Sequence, residues 1–248
     1  MTQIIPLSEG SFTIDQTKEF IPFKLDQDDL QSRSRGSLLV EIQPFLVITE
    51  KDIILLDTGL GFTDEFNNLQ IHQHLIVHDI NPLQVTKVLM SHLHKDHAGG
   101  VTKYDLMSQQ YFLSFPNAKY YINEQELNFA LQPGNPSYHP SRLALLQNHE
   151  QVVLLGNEGI IDDYIYFQVT AAHSPHHQVF TIDTGDGKIF FGGDDAPQLK
   201  QMKNKFVAKY NHDGKKAASL RNEWWEAGNK ANWTFLFYHD IQTPSIRL

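Results

Sequence analysis

The sequence predicts an α/β fold in which two β-sheets are sandwiched between helices. Two observations lead to this prediction. Apolar segments typical of buried strands come in pairs along the chain, and segments typical of helices lie between the pairs. The 248 residues, of which 41% are hydrophobic, can bury a sizeable core. We therefore expect a single domain over residues 1–248.

The strands are predicted from short apolar runs that are bounded by turn or polar residues. In chain order they lie at 38–48 (LLVEIQPFLVI), 53–56, 86–91, 151–155, 164–170, 178–183, 188–192 and 233–238. The predicted helices lie at 123–132, 139–150 and 215–227. Asn123 is a suitable N-cap for the first helix, which Pro133 ends, and Pro140 lies near the start of the second.

The composition excludes several classes of function. The chain has no cysteine, which excludes disulfides, thiolate zinc ligands and a cysteine nucleophile. Its formal net charge of −9 argues against nucleic acid or an anionic membrane as a partner. The N-terminus is not typical of a secretory signal, and the apolar runs are too short to span a bilayer. We expect a cytoplasmic protein that acts on a small molecule.

The stretch SHLHKDHAGG (91–100) has the strongest chemical signal. His92 and His94 are two residues apart, so on an extended segment both imidazoles point to the same side. Asp96 and His97 are adjacent to each other and can reach a second point. Imidazole nitrogen and carboxylate oxygen suit zinc and also iron or manganese. One short loop can therefore serve two cations.

Further ligands are expected downstream, because four side chains are too few for two metal ions. His173 lies in TAAHSPHHQ (170–178), Asp194 in FFGGDDAP (190–197), and His239 in FLFYHD (235–240). Each follows a predicted strand, where loops gather and sites form.

In this order the motifs resemble those of the metallo-β-lactamase-fold hydrolases, in particular the lactonase and phosphotriesterase-like branch. The signature H-x-H-x-D-H matches residues 92–97, and LLDTG, with Asp57 and Gly59, matches an early strand-and-turn motif. The resemblance implies a four-layer αββα sandwich. It also implies two metal ions, one held by His92, His94 and His173 and the other by Asp96, His97 and His239, with Asp194 bridging them.

The resemblance further implies a hydrolase with two divalent ions, zinc or else iron or manganese. Asp96 and Asp194 would be its catalytic carboxylates, and a hydroxide shared by the two metal ions its nucleophile. We expect a small, neutral or weakly anionic ester or lactone as substrate. A phosphodiesterase or phosphotriesterase on the same metal core is the alternative. An iron-dependent redox enzyme is disfavoured because flavodiiron members of the fold usually have glutamate where this chain has His94. A metal-stabilised binding protein is disfavoured because every expected ligand is present.

Some residues around the motifs carry weaker expectations. Lactonases of this fold have a tyrosine near the bridging aspartate that stabilises the oxyanion, whereas this chain has Pro197 there. Tyr138, between two predicted helices, is our candidate for the missing donor. We expect Asp57 to hydrogen-bond beneath the metal loop and Asp195 to support the ligands from behind. Arg33 and Arg35 are candidate contacts to an anionic substrate, but we interpret QSRSRGS (31–37) as a loop before a strand.

Overall fold

The computed structural model describes residues 2–204 and 206–248 and shows an α/β fold. In chain order the strands are β1 (Gln3–Pro6), β2 (Gly10–Ile14), β3 (Ile21–Pro22), β4 (Leu38–Ile42), β5 (Phe45–Ile48), β6 (Ile53–Leu56), β7 (Lys87–Leu89), β8 (Thr102–Asp105), β9 (Gln110–Leu113), β10 (Lys119–Asn123), β11 (Val152–Leu155), β12 (Glu158–Ile161), β13 (Ile165–Val169), β14 (Gln178–Asp183), β15 (Lys188–Phe191), β16 (Thr234–Leu236) and β17 (Ser245–Arg247).

The α-helices are α1 (Gln70–Val77), α2 (Lys95–Ala98), α3 (Glu124–Ala130), α4 (Pro140–Leu143), α5 (Leu199–Lys203) and α6 (Gly214–Ala231). Short 3₁₀ turns cover Leu30–Ser32, Pro82–Gln84, Ala144–Asn148 and Gly193–Asp195. Within the described residues, no helix is long and apolar enough to cross a membrane.

The strands of the described part form two large sheets and two small ones. The first large sheet has the order β1-β5-β6-β7-β10-β11, and the second has the order β12-β13-β14-β15-β16-β17. The small sheets are β3-β2-β4 and the hairpin β8-β9. Near the site, β6 pairs with β7 and β15 pairs with β16, and both pairs are parallel. Their carboxyl ends therefore lie at one edge of each sheet, which is where polar site residues follow.

Three hydrophobic cores separate four layers, so the predicted αββα sandwich is confirmed. Alternate residues of β6 face opposite sides: Leu55 packs towards α1 and α3, while Ile54 and Leu56 pack between the sheets. A third core lies between the second sheet and α5 and α6, where Trp224 and Trp225 pack on Phe190 and Phe235. Burial on both faces explains why the central strands read as continuous apolar runs.

The prediction of one strand over 38–48 is wrong. The segment breaks at Gln43 and Pro44, and its two halves belong to different sheets: β4 pairs with β2 and β5 pairs with β1. Proline has no amide hydrogen to donate to a strand partner, so it marks the break.

The helix predicted at 139–150 is also only partly right. Only Pro140–Leu143 is α-helical, and a 3₁₀ turn continues to Asn148. The first predicted helix is confirmed, with Asn123 as its N-cap: the Asn123 side chain accepts a hydrogen bond from the backbone of Glu126 at 2.9 Å. The third helix, α6, extends four residues beyond its predicted end.

Glycines allow the metal loop to pack directly on the segment after β6. A methyl group at position 100 would collide with the carbonyl oxygen of Thr58. We predict that Gly100→Ala lowers the free energy of unfolding by about 1–3 kcal/mol, because the two backbones must move apart. Urea denaturation of the metal-loaded protein measures this. Gly156→Ala is the matched control, since open space surrounds that glycine. Equal losses in the two variants would contradict the close packing.

Candidate metal centre

The seven predicted ligands come from four loops that follow strands. His92 follows β7, and His94 is the residue before α2, which contains Asp96 and His97. His173 lies in the turn between β13 and β14, Asp194 in the 3₁₀ turn after β15, and His239 after β16. The structure brings all seven side chains together.

The ligand atoms form two clusters. The first cluster is His92, His94, His173 and Asp194, and the second cluster is Asp96, His97 and His239. In each cluster, one nitrogen or oxygen atom of every side chain lies within 4.8 Å of the others. This division matches the two ligand sets that the resemblance implies.

The first cluster directs imidazole lone pairs at one point. Ser91 donates its hydroxyl to Asp57 at 2.7 Å, so its oxygen accepts from Nδ1 of His92 at 3.0 Å. Asn211 Oδ1 likewise accepts from Nδ1 of His173 at 3.0 Å. The Nε2 atoms of both rings therefore carry lone pairs. Nε2 of His92 lies 2.9 Å, and Nε2 of His173 3.2 Å, from Nδ1 of His94. One proton cannot satisfy three nitrogens, whereas a divalent cation can.

The second cluster is ordered in the same way from behind. Nδ1 of His97 donates to Asp57 at 2.7 Å, and Nδ1 of His239 donates to the carbonyl of Glu41 at 2.7 Å. Their Nε2 atoms lie 3.6 and 3.5 Å from Oδ2 of Asp96. Partners that fix the ring orientation in this manner are typical of metal-binding histidines.

Asp194 lies between the clusters and contacts both. Its Oδ2 is 3.1 Å from Nε2 of His173, while its Oδ1 is 3.2 Å from Nε2 of His97 and 2.9 Å from Nε2 of His239. These contacts of Oδ1 do not have hydrogen-bond geometry, so Oδ1 of Asp194 and Nε2 of His97 are among the buried polar atoms of the described residues that lack a hydrogen-bond partner. Buried polar atoms without partners are costly, so this donor set fits bound cations.

Electrostatics differ between the clusters. Burial lowers the pKa of His92 and His94 well below the usual value, and neighbouring imidazoles lower it further, so both are neutral ligands. Burial also acts to lower the pKa of His97, but the carboxylates of Asp194, Asp96 and Asp57 outweigh it and raise that pKa well above its usual value. Burial alone would raise the pKa of Asp194, yet His239, His173 and His97 lower it well below its usual value.

Asp57 lies beneath the metal loop, as expected from the sequence. Its carboxylate accepts from the Ser91 backbone at 2.7 Å, from the Ser91 hydroxyl and from His97. Asp57 adopts a φ of 56°, a left-handed backbone conformation that is uncommon outside glycine. Three hydrogen bonds to one carboxylate hold the residue in this conformation.

Asp195 points away from the clusters. It accepts a hydrogen bond from Thr170 and lies 3.1 Å from Nδ1 of His177. Nε2 of His177 in turn accepts from the backbone of Asp194 at 3.1 Å. This chain supports the turn that presents Asp194, so Asp195 occupies the supporting position that the sequence suggested.

Glu126 connects three parts of the site and was not identified from the sequence. Its Oε1 accepts from the backbone of Leu93 at 3.0 Å and from the hydroxyl of Tyr138 at 3.1 Å. Its Oε2 accepts from Ser174 at 3.4 Å. The side chain is buried, and burial raises its pKa against the opposing effect of these hydrogen bonds. Glu126 thus joins the loop of His92 and His94 to the loop of His173.

Tyr138 lines the cavity with its ring, which lies 4.8 Å from the ring of His94. Its hydroxyl proton is engaged by Glu126. That hydrogen bond competes with the expected contact to a substrate oxyanion, and the role of Tyr138 stays a prediction.

A cavity of about 830 Å³ opens on the two clusters. Apolar side chains form much of its wall, namely Ile14, Phe20, Leu38, Leu39, Val40, Phe129 and Phe206. Tyr210 and Asn211 lie beside His173, and neither had a signal in the sequence because their segment, after α5, contains no recognisable motif. Neither Arg33 nor Arg35 is among the described residues that line the cavity.

Comparisons with known proteins identify the family. The family model described as the metallo-beta-lactamase superfamily matches residues 41–224. The chain belongs to that superfamily and, with both clusters in place, is a metal-dependent hydrolase. No curated protein sequence is similar enough to count as a relative.

Solved structures with the same fold include three that cover nearly the whole chain. A probable metal-dependent hydrolase from Staphylococcus aureus is 20% identical, with a TM-score of 0.77 over 99% of this chain and 92% of that chain. The hydrolase AbOPH of the beta lactamase superfamily is 22% identical, with a TM-score of 0.75 over 99% and 89%. AidC, a dizinc quorum-quenching lactonase, is 18% identical, with a TM-score of 0.73 over 98% and 89%. At these identities the likeness shows the fold.

We predict that the two adjacent aspartates differ in their effects. Asp194→Ala should abolish activity and release at least one metal equivalent, because it removes the carboxylate that faces both clusters. Asp195→Ala should retain more metal and activity, since it removes a supporting contact to His177. Elemental analysis and turnover measure both variants. If Asp195→Ala lost metal while Asp194→Ala kept it, the assignment of the bridging residue would be wrong.

A second prediction concerns Glu126. Glu126→Ala should weaken metal affinity by about 10–100-fold, because the two ligand loops lose their common acceptor. Glu126→Gln should retain most of the affinity, since an amide oxygen can still accept from Leu93 and Tyr138. Titration against a chelating dye compares the variants. Equal affinities in Glu126→Ala and the wild type would exclude this supporting role.

Proposed function

We propose that the protein is a dinuclear zinc hydrolase of a small ester or lactone. One observation carries the proposal: the two oxygens of Asp194 face different clusters. Three histidines accompany Asp194 in the first cluster, and Asp96, His97 and His239 form the second. Such an arrangement suits a carboxylate shared by two cations. Histidine nitrogen and carboxylate oxygen are the ligand types that zinc commonly takes.

The protein's own residues prepare the site for the cations. Each of four histidines has its Nδ1 held by a partner, which turns its Nε2 towards the centre. The pairs are His97 with Asp57, His92 with Ser91, His173 with Asn211, and His239 with the Glu41 carbonyl. His92 and His94 are neutral, and Asp194 is ionised. The ligands of the first cluster therefore need little rearrangement or proton loss before metal binds, whereas metal displaces protons from His97 and His239, whose pKa values the carboxylates raise.

When bound, two such cations supply a water acidified to near neutral pH and polarise the oxygen of the scissile bond. The chain has no cysteine. Among the described residues, the serines next to the ligands His92 and His173 are poorly placed as covalent nucleophiles. Ser91 is only 1% exposed, and Ser174 is bonded to Glu126. Direct attack by water is therefore the reaction that this site favours.

Tyr210 can assist at the substrate oxygen. Its ring lies 6.2 Å from that of His173, and its oxygen accepts a hydrogen bond from Gln201 at 3.3 Å. Since Gln201 is the donor in that contact, the Tyr210 hydroxyl proton remains available to a molecule in the cavity.

The cavity supports a small substrate with an apolar part. Its volume of about 830 Å³ is in the range of small-molecule sites. Several structures that share the fold are lactonases of N-acyl homoserine lactones. A simple ester and a γ-lactone are therefore suitable probes.

The test is metal analysis combined with a substrate panel. We predict about two equivalents of zinc per chain and turnover of 4-nitrophenyl butyrate and of a γ-lactone, which a strong chelator abolishes and added zinc restores. A phosphodiester and a phosphotriester are assayed alongside. One equivalent in a fully loaded sample would refute the dinuclear proposal. Turnover of the phosphoesters alone would assign the protein to the phosphoesterases.

A further inference from the structure

Lysines line the cavity in a chain that is acidic as a whole. The sequence has 20 lysines and arginines against 29 aspartates and glutamates. Among the described residues that line the cavity, the basic side chains include Lys18, Lys95 and Lys209, whereas the only carboxylate outside the two clusters is that of Asp15. Oδ1 of Asp15 accepts from the backbone and the hydroxyl of Thr17 at 2.9 and 2.7 Å, within its own turn. Outside the two clusters, the charge balance of the cavity wall is thus the reverse of that of the chain.

Lys18 and Lys95 lie beside the metal clusters. Lys95 stands between the ligands His94 and Asp96 at the start of α2. Lys18 follows the turn that begins at Asp15. Its backbone amide donates to the carbonyl of Asp15 at 3.1 Å, and its φ is 60°. That turn carries Lys18 to the cavity wall.

Lys18 and Lys95 are both half-buried and line the wall of the same cavity. In the part of the chain that the structure describes, no ion pair or side-chain hydrogen bond holds either ammonium group. Two unpaired cations at the wall of one cavity attract an anion, especially where low-dielectric walls focus the field.

We propose that the substrate carries a carboxylate or phosphate group, which Lys18 and Lys95 bind while its ester or lactone bond lies at the two clusters. This inference rests on the proposed function, because it names the charge of the molecule on which that function acts. Because Lys95 lies between the ligands His94 and Asp96, an anionic group bound to it would be near the bond that reacts. The apolar wall with Phe20, Leu38 and Val40 is left for the remainder of the substrate.

The first experiment compares esters that differ in charge. The probes are 4-nitrophenyl butyrate, mono-4-nitrophenyl glutarate and the 4-nitrophenyl ester of 4-phosphonobutyrate, which distinguish a carboxylate from a phosphorus anion. The metal-loaded enzyme should prefer at least one anionic ester by roughly tenfold in kcat/KM. Lys18→Met and Lys95→Met should each reduce this preference by roughly three- to tenfold, because methionine keeps an apolar stem without the charge.

Matched variants separate charge from damage to the fold. Lys95→Arg keeps the cation and should restore most of the preference that Lys95→Met loses. Lys230→Met removes an exposed lysine of α6 and should leave the preference unchanged. Metal content is measured for every variant. Equal losses on the neutral and anionic esters, or no preference in the wild type, would overturn the proposal.

A binding measurement tests the inference even if no ester is turned over. Calorimetric titration of the zinc-loaded protein compares monomethyl glutarate, propyl phosphate and neutral dimethyl glutarate. The anion should bind more tightly than the neutral diester, and Lys18→Met and Lys95→Met should weaken the anion by roughly three- to tenfold. Unchanged anion affinity in both variants would refute the lysine site. Absence of ester turnover alongside lysine-dependent anion binding would refute only the proposed function.

Discussion

The Asp57 carboxylate is the contact on which the metal centre depends. Asp57 directly follows the strand β6, yet its three hydrogen bonds go to Ser91 and His97, which follow the neighbouring strand β7. Through the Ser91 hydroxyl it also fixes the ring of His92. One residue thus orients a ligand in each cluster. Because its φ of 56° is unfavourable for an aspartate, the loop tolerates this conformation only while those hydrogen bonds are made.

The two clusters solve the problem of burying polar groups in different ways. In the first, neutral imidazoles converge, and the cost is the mutual repulsion of lone pairs. In the second, carboxylates and imidazoles attract each other, and the pKa of His97 and His239 rises in response. Asp194 belongs to both arrangements, since each of its oxygens faces one cluster. A cation in each cluster removes the first cost and takes the place of the protons in the second.

The sequence was most informative where one motif holds several ligands. The spacing of His92, His94, Asp96 and His97 predicted two neighbouring points, and the structure forms two clusters there. Glu126 was missed because glutamate in the first turn of a helix is ordinarily a favourable surface residue. The break at Pro44 was missed because apolar residues continue on both sides of it. Glu126 is fixed by Leu93 and Ser174, and the two strands around Pro44 are fixed by pairing with β2 and β1. These partners lie far along the chain, so local sequence patterns do not indicate them.

The wall of the cavity differs in origin from the metal centre. The ligands follow strands that are buried on both faces, so their positions are set by the cores and by hydrogen bonds such as those of Asp57 and Glu126. Lys18 and Tyr210, by contrast, lie in turns outside the large sheets. Neither of these two side chains is hydrogen-bonded to a ligand in the described structure, so substituting either one changes the charge and shape that a substrate meets, whereas Asn211, next to Tyr210, also orients His173. One metal core can therefore serve different substrates when the turns around it differ.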